Sequence, residues 1–432
     1  MNKTLILLSV AVLLCAAAVA QAQDSEMGQK NAGDFSPQIK MTSARRLLDD
    51  PLRLRELDHF LGDLHGLRPW LDSKGVTSEL IYSGEVFKNM RGGLNTHNAD
   101  KYRGNFDFTL SVDTERLGLQ PGRIFFYTQF AHGTGITANH VGDAQTLSNL
   151  DATYLFQVSE YWIDQLFYDG RLRFKLGKMD SNVDFMAVDY GGDFSQSSFA
   201  VIPTAPTPTF PDPALGAAVF WEPEDWISMG AGVYEGGPDG RSSGFNTAFD
   251  SKSHHGMFSI YEVALKPKIS FGAQKDMPGT YRIGAWHHSD EFDEVGDGAS
   301  EVFKGNHGFY LAFDQMLYQE KSDSEQGLGA FLQFGWAPEN RNEINRYFGG
   351  GLSYVGLIPG RDEDTVGMGL AQALWSDQID NFSKETAIEL FYKAQLSEFV
   401  SVKPDIHYIA NPGGGDTIKD ALAFGLRFEI LF

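Results

Sequence analysis

Apolar and polar residues alternate one by one through most of the chain after Gly75. From Leu422 to Phe432 every second residue is apolar, and Arg427 and Glu429 lie between these residues. A period of two places each set on one face of a β-strand. The alternation predicts about 16 strands, near 76–89, 104–113, 123–132, 152–163, 170–180, 214–221, 227–235, 256–267, 279–289, 306–317, 327–337, 347–357, 366–376, 385–396, 400–410 and 420–432.

The connections between these strands differ at the two ends of the predicted sheet. In the first part of the chain they are mostly long after odd-numbered strands and mostly short after even-numbered ones, and the longest spans about 181–213. An even strand count with unequal loops is typical of an outer-membrane barrel. At this size the lumen is too wide for side chains to fill. A soluble sandwich or propeller also alternates, but we predict an all-β, transmembrane antiparallel barrel.

The N-terminus has the layout of a secretory signal peptide. A basic start at Lys3 is followed by an almost wholly apolar run, Thr4 to Val19, and then by small residues suited to cleavage. Charged residues with interspersed leucines predict a short helix between Thr42 and about Leu71. The predicted domains are a signal peptide at 1–22, an N-terminal periplasmic segment with a helix at 23–72, and the barrel at 73–432.

Composition and charge narrow the classes of function. The 432 residues carry a formal net charge of −22, which argues against nucleic acid and against anionic membrane surfaces as partners. The one cysteine, Cys15, lies in the predicted signal peptide. No phosphate-binding glycine loop and no nucleophile elbow is present, so we predict no cofactor and no catalysis. His287 and His288 are adjacent on a predicted strand and point to opposite faces, so we predict no metal site there.

Six segments carry more distinctive runs of residues. They are LGDLHGLRPWL at 61–71, RLRFKLGKMD at 171–180, YRIGAW at 281–286, GFYLAFDQMLY at 308–318, GGLSYVGLIPGR at 350–361 and VKPDIHYIANPGG at 402–414. In this order and spacing they resemble the carbohydrate-selective porins of the OprB family. Leu64-His65 departs from the Trp-Gly of many relatives. The resemblance implies a 16-strand monomer in the bacterial outer membrane that takes up sugars passively.

Lumen-facing residues follow from the alternation if the apolar set faces lipid. Arg171, Arg173 and Lys175 then form one row, about 6–7 Å apart. Opposed basic and acidic groups donate to and accept from sugar hydroxyls, although each position could equally be a solvated part of the wall. The resemblance to OprB-like porins implies a narrowing built from similar residues. The other candidate solute-binding residues are Glu85, Asp107, Asp180, Arg282, Trp286, Glu389 and Lys393, and Asp405 and Arg427 also point inward.

The long connection at about 181–213 is the candidate constriction loop. It contains Asp184, Asp193, Phe199 and five prolines, which stiffen the chain by fixing φ. We predict that this loop folds into the channel and sets its width. The alternative is a cap over the channel mouth.

The predicted function is an outer-membrane porin for monosaccharides or polyols, with no reaction catalysed. Its other partners would be outer-membrane lipid and lipopolysaccharide, and the barrel assembly machinery that reads a last strand ending at Phe432. A porin for small organic anions, drawn by the basic row of residues 171–175, is the main alternative. A barrel lipase would need an outward Ser–His pair, and a purely structural anchor would not conduct.

Overall fold

The computed structural model describes residues 58–152, 154–237, 243–249, 255–296, 298–321 and 326–432. The predicted signal peptide and the first part of the predicted periplasmic segment lie outside these residues. Their assignment therefore stays a prediction.

In the described part of the chain, one antiparallel sheet of 17 strands closes on itself, because β1 pairs with both β2 and β17. β8 and β9 both pair with β10 and together occupy one position in the ring of strands. Counting each such position as one stave, the 17 strands form 16 staves. The break falls at Pro267, which has no N–H to donate to the ladder. The strands are β1 (Val76–Gly93), β2 (Asp100–Asp113), β3 (Gly122–Gly133), β4 (Leu155–Phe167), β5 (Leu172–Met179), β6 (Ala214–Glu224), β7 (Ile227–Glu235), β8 (Met257–Leu265), β9 (Lys268–Phe271), β10 (Gln274–Asp293), β11 (Val302–Gln319), β12 (Gly327–Trp336), β13 (Ile344–Val355), β14 (Thr365–Trp375), β15 (Lys384–Ser397), β16 (Val400–Ala410) and β17 (Lys419–Leu431).

Each of the 16 predicted strands overlaps one stave, so the predicted all-β barrel is confirmed. The connections at one end include three long ones, at 134–154, 180–213 and 236–256. At the other end the connections are shorter, and some are two-residue turns such as 225–226 and 398–399. The predicted asymmetry of the two ends is therefore also present.

Helices are short in the described residues. None of them is long and apolar enough to cross a membrane. Residues 42–57 of the helix predicted between Thr42 and about Leu71 lie outside the described residues, and that part stays a prediction. In the described part, residues 58–66 form turns, with Gly62 and Gly66 in left-handed backbone at φ of 60° and 88°, and the helix begins only at Leu67. The helices are α1 (Leu67–Ser73) and α2 (Ser197–Ala200), with 3₁₀ turns at Glu115–Leu117, Ser181–Val183, Phe245–Ala248 and Pro412–Gly414 and a π turn at Thr137–Val141.

The turns before α1 contact the end of the last strand. The Phe60 N–H donates to the Leu431 carbonyl at 2.9 Å. The Phe60 ring packs edge-on against Phe432, with ring centroids 5.6 Å apart. The Arg68 guanidinium donates to the Phe432 carbonyl. This segment therefore covers the end of β17 beside the seam that closes the barrel.

The two faces of the wall differ as the alternation predicts. Outward apolar side chains are exposed on the outer surface of the barrel, and Leu176, for example, is 61% exposed. Inward positions on β14 and β17 are often small, such as Ala371, Ala423 and Gly369. A Cβ on Gly369 would lie 2.7 Å from the Phe199 ring. The inner wall thus leaves room for chain segments that pack against it.

Candidate functional site in the barrel lumen

Two long connections lie against the inward face of the wall. The inner loop, defined here as 180–213, joins β5 to β6, and the second loop, 134–154, joins β3 to β4. They bind each other, because the Asn149 N–H donates to the Ser195 carbonyl at 2.7 Å. Of these two loops, only the inner loop is predicted from the sequence. The second loop has a weaker indication in the sequence, namely a few apolar residues such as Ile136 and Leu147, which are fully buried.

Four inward carboxylates, the wall carboxylates, hold the backbone of these loops. Each accepts a hydrogen bond from a loop N–H, and a charged acceptor makes such bonds stronger than neutral ones. The contacts are Glu262 with Met186 N (3.0 Å), Asp314 with Tyr190 N (3.0 Å), Glu389 with Ser195 N (2.7 Å) and Gln196 N (2.8 Å), and Glu385 with Ala144 N (2.8 Å) and Gln145 N (2.9 Å). In the second loop, burial raises the pKa of Asp143 to about 7, and the Glu385 carboxylate adds to the rise.

Aromatic packing fastens the same part of the inner loop. The Phe194 and Phe199 rings lie 4.7 Å apart by their centroids. Phe194 also packs against Phe331 at 5.4 Å and against Phe391 at 4.9 Å, and both partners are inward residues of the wall. Phe199 is buried, so it attaches the loop and does not face the open lumen.

Arg173 and Lys175 meet a carboxylate of the inner loop. Asp184 accepts from both cations at 2.7 Å, and Arg173 also pairs with Asp164 of β4 at 3.2 Å. The predicted row is wrong at Arg171. That residue precedes β5, where the alternation has ended, and its exposed guanidinium donates to the Glu222 and Pro223 carbonyls.

Glu85 forms a buried ion cluster across the seam of the barrel. It lies opposite Arg427 in the β1–β17 register and opposite Arg103 in the β1–β2 register. Its carboxylate bonds both guanidinium groups, at 2.8 Å and 2.9 Å. Ser148 of the second loop donates to it at 2.6 Å. The cluster therefore joins both edges of the seam to a loop.

Replacing Glu85 with glutamine is expected to weaken the closed barrel. It leaves Arg427 without its bonded carboxylate in a buried site, and such a loss costs about 3–5 kcal/mol. Samples heated to increasing temperatures before gel electrophoresis show where the compact barrel unfolds, and this unfolding temperature should fall. Glu79→Gln, on the exposed part of the same strand, is the control and should leave that temperature unchanged. Equal unfolding temperatures for wild type and Glu85→Gln would contradict the role of the cluster.

A polar cleft of about 180 Å³ opens beside the tip of the inner loop. Lys393 donates to Asp193 at 2.7 Å, and these side chains are 26% and 31% exposed. Lys403 donates to the Asp193 carbonyl at 2.5 Å. Lys393 and Asp193 are among the residues predicted from the sequence. Ser401 and Lys403 are not, although both share the parity of Asp405 on β16. The cleft is lined by Gly192, Asp193, Lys393, Ser401, Lys403, Arg427 and Glu429.

Two other predicted residues, Asp107 and Arg282, bind polar side chains of the inner wall. Asp107 accepts from Tyr127 at 2.5 Å and from Asn105 at 2.6 Å. The Arg282 guanidinium lies 3.4 Å from Asp314 and 3.7 Å from Glu262, so one cation is shared between two of the wall carboxylates. Both residues therefore belong to polar networks of the inner wall.

Besides Glu85 and Lys175, which are buried in the ion pairs described above, three predicted solute contacts are engaged by the protein itself. Glu389 is fully buried, with both carboxylate oxygens taken by the inner loop. Trp286 is buried against Phe258. Asp180 accepts from the Phe210 N–H at 2.9 Å and from the Asn182 N–H at 2.8 Å, which fixes the base of the loop. Parity turned Glu389 and Trp286 inward, but both side chains are buried, and Asp180 lies just after the end of β5.

Comparison with known proteins matches residues 97–432 to the carbohydrate-selective porins of the OprB family. The chain belongs to the OprB family. This membership, together with the 16-stave barrel, makes the protein a porin of the bacterial outer membrane and indicates a channel rather than an enzyme.

Individual relatives agree with the OprB assignment. Porin B of Pseudomonas aeruginosa is 25% identical over 420 residues, which cover 86% of this chain and 91% of that protein. The putative porin QuiX of Acinetobacter baylyi is 24% identical over 418 residues, covering 86% and 92%. The high-pH structure of Pseudomonas putida OprB has a TM-score of 0.79 at 22% identity and covers 87% of this chain and 99% of that one. The solved structure confirms the barrel fold.

Proposed function

We propose that this OprB-family porin lets small neutral sugars and polyols diffuse passively through a lumen narrowed by the inner loop. The observation that carries the proposal is the polar cleft beside Gly192 and Asp193. It exposes donors and acceptors side by side at the tip of that loop.

The side chains of the cleft suit a hydroxylated solute. The Lys393 ammonium donates, the Asp193 and Glu429 carboxylates accept, and the Ser401 hydroxyl does both. A sugar hydroxyl likewise donates and accepts, so a polyol can replace the water that these groups bind. Arg427 is already paired with Glu85, so charges of both signs balance closely around the cleft.

The pairing of the basic residues favours a neutral solute over the organic anion of the alternative. Arg173 and Lys175 both bond Asp184, and Arg173 also pairs with Asp164. These carboxylates cancel much of the positive field that would draw an anion. Arg171 takes no part in these ion pairs and lies in the exposed turn before β5.

Replacing Lys393 with methionine is expected to weaken sugar binding in the channel. A hydrogen bond from a charged group contributes about 1.5–3 kcal/mol, so the half-saturating glucose concentration should rise about tenfold or more. Swelling of liposomes that contain the purified protein measures this, with a neutral amino acid of similar size for comparison. Entry of the amino acid should change less, because it does not depend on the same polyol contacts.

Lys384→Met is the matched control, since Lys384 is exposed at the end of the same strand. It should swell like the wild type. Entry graded by solute size alone, with the same rates in Lys393→Met and in the wild type, would overturn the sugar proposal. Preferential entry of organic anions would support the alternative.

A further inference from the structure

Glu389, Asp405 and His407 form a buried group on the inner wall. His407 lies directly opposite Glu389 in the β15–β16 register, and Asp405 is two residues away on the same face. Each offers one ligand atom, and these atoms all lie within 4.8 Å of one another. The pleat of two paired strands therefore brings one imidazole and two carboxylates within 4.8 Å of one another.

The His407 ring is fully buried, yet neither of its nitrogens has a hydrogen-bond partner among the described residues. Its Nε2 lies 3.7 Å from Asp405 Oδ1, which is too long for a hydrogen bond. Asp405 Oδ1 has no hydrogen-bond partner in the described part of the chain either. Buried polar atoms are nearly always bonded, so this group lacks a partner that its chemistry requires.

A nearby cation of the protein does not fill this place. Lys403 is on the same face of β16, but its ammonium donates to the Asp193 carbonyl at 2.5 Å. It also lies 5.3 Å from the centroid of the Phe391 ring. Ser195 donates to Asp405 Oδ2 at 2.9 Å, which leaves Oδ1 open. The open atoms are therefore those that face His407.

The geometry and the donor types fit a transition-metal ion. Two ligands that each lie about 2.0–2.2 Å from one ion are roughly 3.4 Å apart, close to the separation of His407 Nε2 and Asp405 Oδ1. Imidazole with carboxylate suits Zn²⁺ and its neighbours, whereas Ca²⁺ and Mg²⁺ prefer oxygen ligands alone. The two carboxylates also match the charge of a divalent ion.

We propose that Glu389, Asp405 and His407 bind one divalent transition-metal ion of the Zn²⁺ type. Glu389 and Asp405 already hold Ser195 and Gln196 of the inner loop. An ion between them therefore ties the loop and the wall into one rigid unit. None of the three residues lines the cleft proposed for sugars, although Lys403, which does, is the next inward residue to Asp405 on β16.

The test uses the purified full-length porin in detergent, stripped with a chelator and then equilibrated with zinc chloride. After dialysis, elemental analysis should find about one zinc ion per chain in the wild type. His407→Gln should lose this zinc, while His287→Gln, which changes an exposed histidine, should retain it. Cobalt substituted for zinc should give visible absorption in the wild type and in His287→Gln only.

Gel mobility of the unheated protein verifies that each variant is a folded barrel. Folded wild type that retains no zinc would overturn the proposal, and the buried group would then hold water. Equal zinc in wild type and His407→Gln would also overturn it, because the metal would be bound elsewhere.

Discussion

Replacing Glu389 with alanine is expected to detach the tip of the inner loop and enlarge the ionic conductance of single channels. The substitution removes the acceptor of two backbone N–H groups, at Ser195 and Gln196. Each hydrogen bond to a charged group contributes about 1.5–3 kcal/mol, so docking of this segment should lose roughly 3–6 kcal/mol. Planar-bilayer recordings should show larger and noisier openings, and swelling assays should show less discrimination between sugar and amino acid.

Glu398→Ala is the matched control for this experiment. It removes the same charge from the exposed turn after β15, and Glu398 is not among the described residues that bond the inner loop. His407→Gln keeps both acceptors of Glu389, so it distinguishes loss of the loop anchor from loss of a metal ion. Unchanged conductance in a folded Glu389→Ala porin would show that the loop stays in place without its carboxylate.

Replacing Asp184 with asparagine is expected to shift the channel towards anions. The carboxylate bonds both Arg173 and Lys175 at 2.7 Å, and its loss leaves two cations at the lumen wall. Unit charges 4 Å apart interact by about 4 kcal/mol at an effective dielectric constant of 20, so the local potential should change strongly. The reversal potential in a potassium chloride gradient should move towards the chloride value, and more so at low salt.

Asp169→Asn provides the same change of charge in the exposed turn before β5. Its reversal potential should match the wild type, because that turn is exposed to solvent and lies at the opposite end of β5 from the inner loop. An Asp184→Asn channel with wild-type ion selectivity would mean that Arg173 and Lys175 do not influence the conducting path.

The barrel could be predicted from the sequence because alternation directly reports which face a strand residue occupies. It does not report what covers that face. Glu389 and Lys393 have the same parity on β15, yet the first is buried under the inner loop and the second borders the cleft. Telling them apart requires the path of the loop across the lumen, which local periodicity does not contain.

Long-range pairing limited the prediction in a second way. Glu85 and Arg427 were both expected to face inward, but their contact joins residues 342 positions apart and exists only once the sheet closes. Arg171 shows the opposite error. Its spacing continues the pattern of Arg173 and Lys175, but Arg171 lies before the first residue of β5. In that turn, alternation does not determine which way a side chain points.

The wall carboxylates hold the inner loop through backbone N–H groups at Met186, Tyr190, Ser195 and Gln196. Every residue except proline supplies such a donor, whatever its side chain. Exposed loop positions such as Val183 and Asp189 can therefore be exchanged without loss of these attachments. Evolution, or an engineer, can vary what the loop presents to solutes while the frame that carries it stays the same.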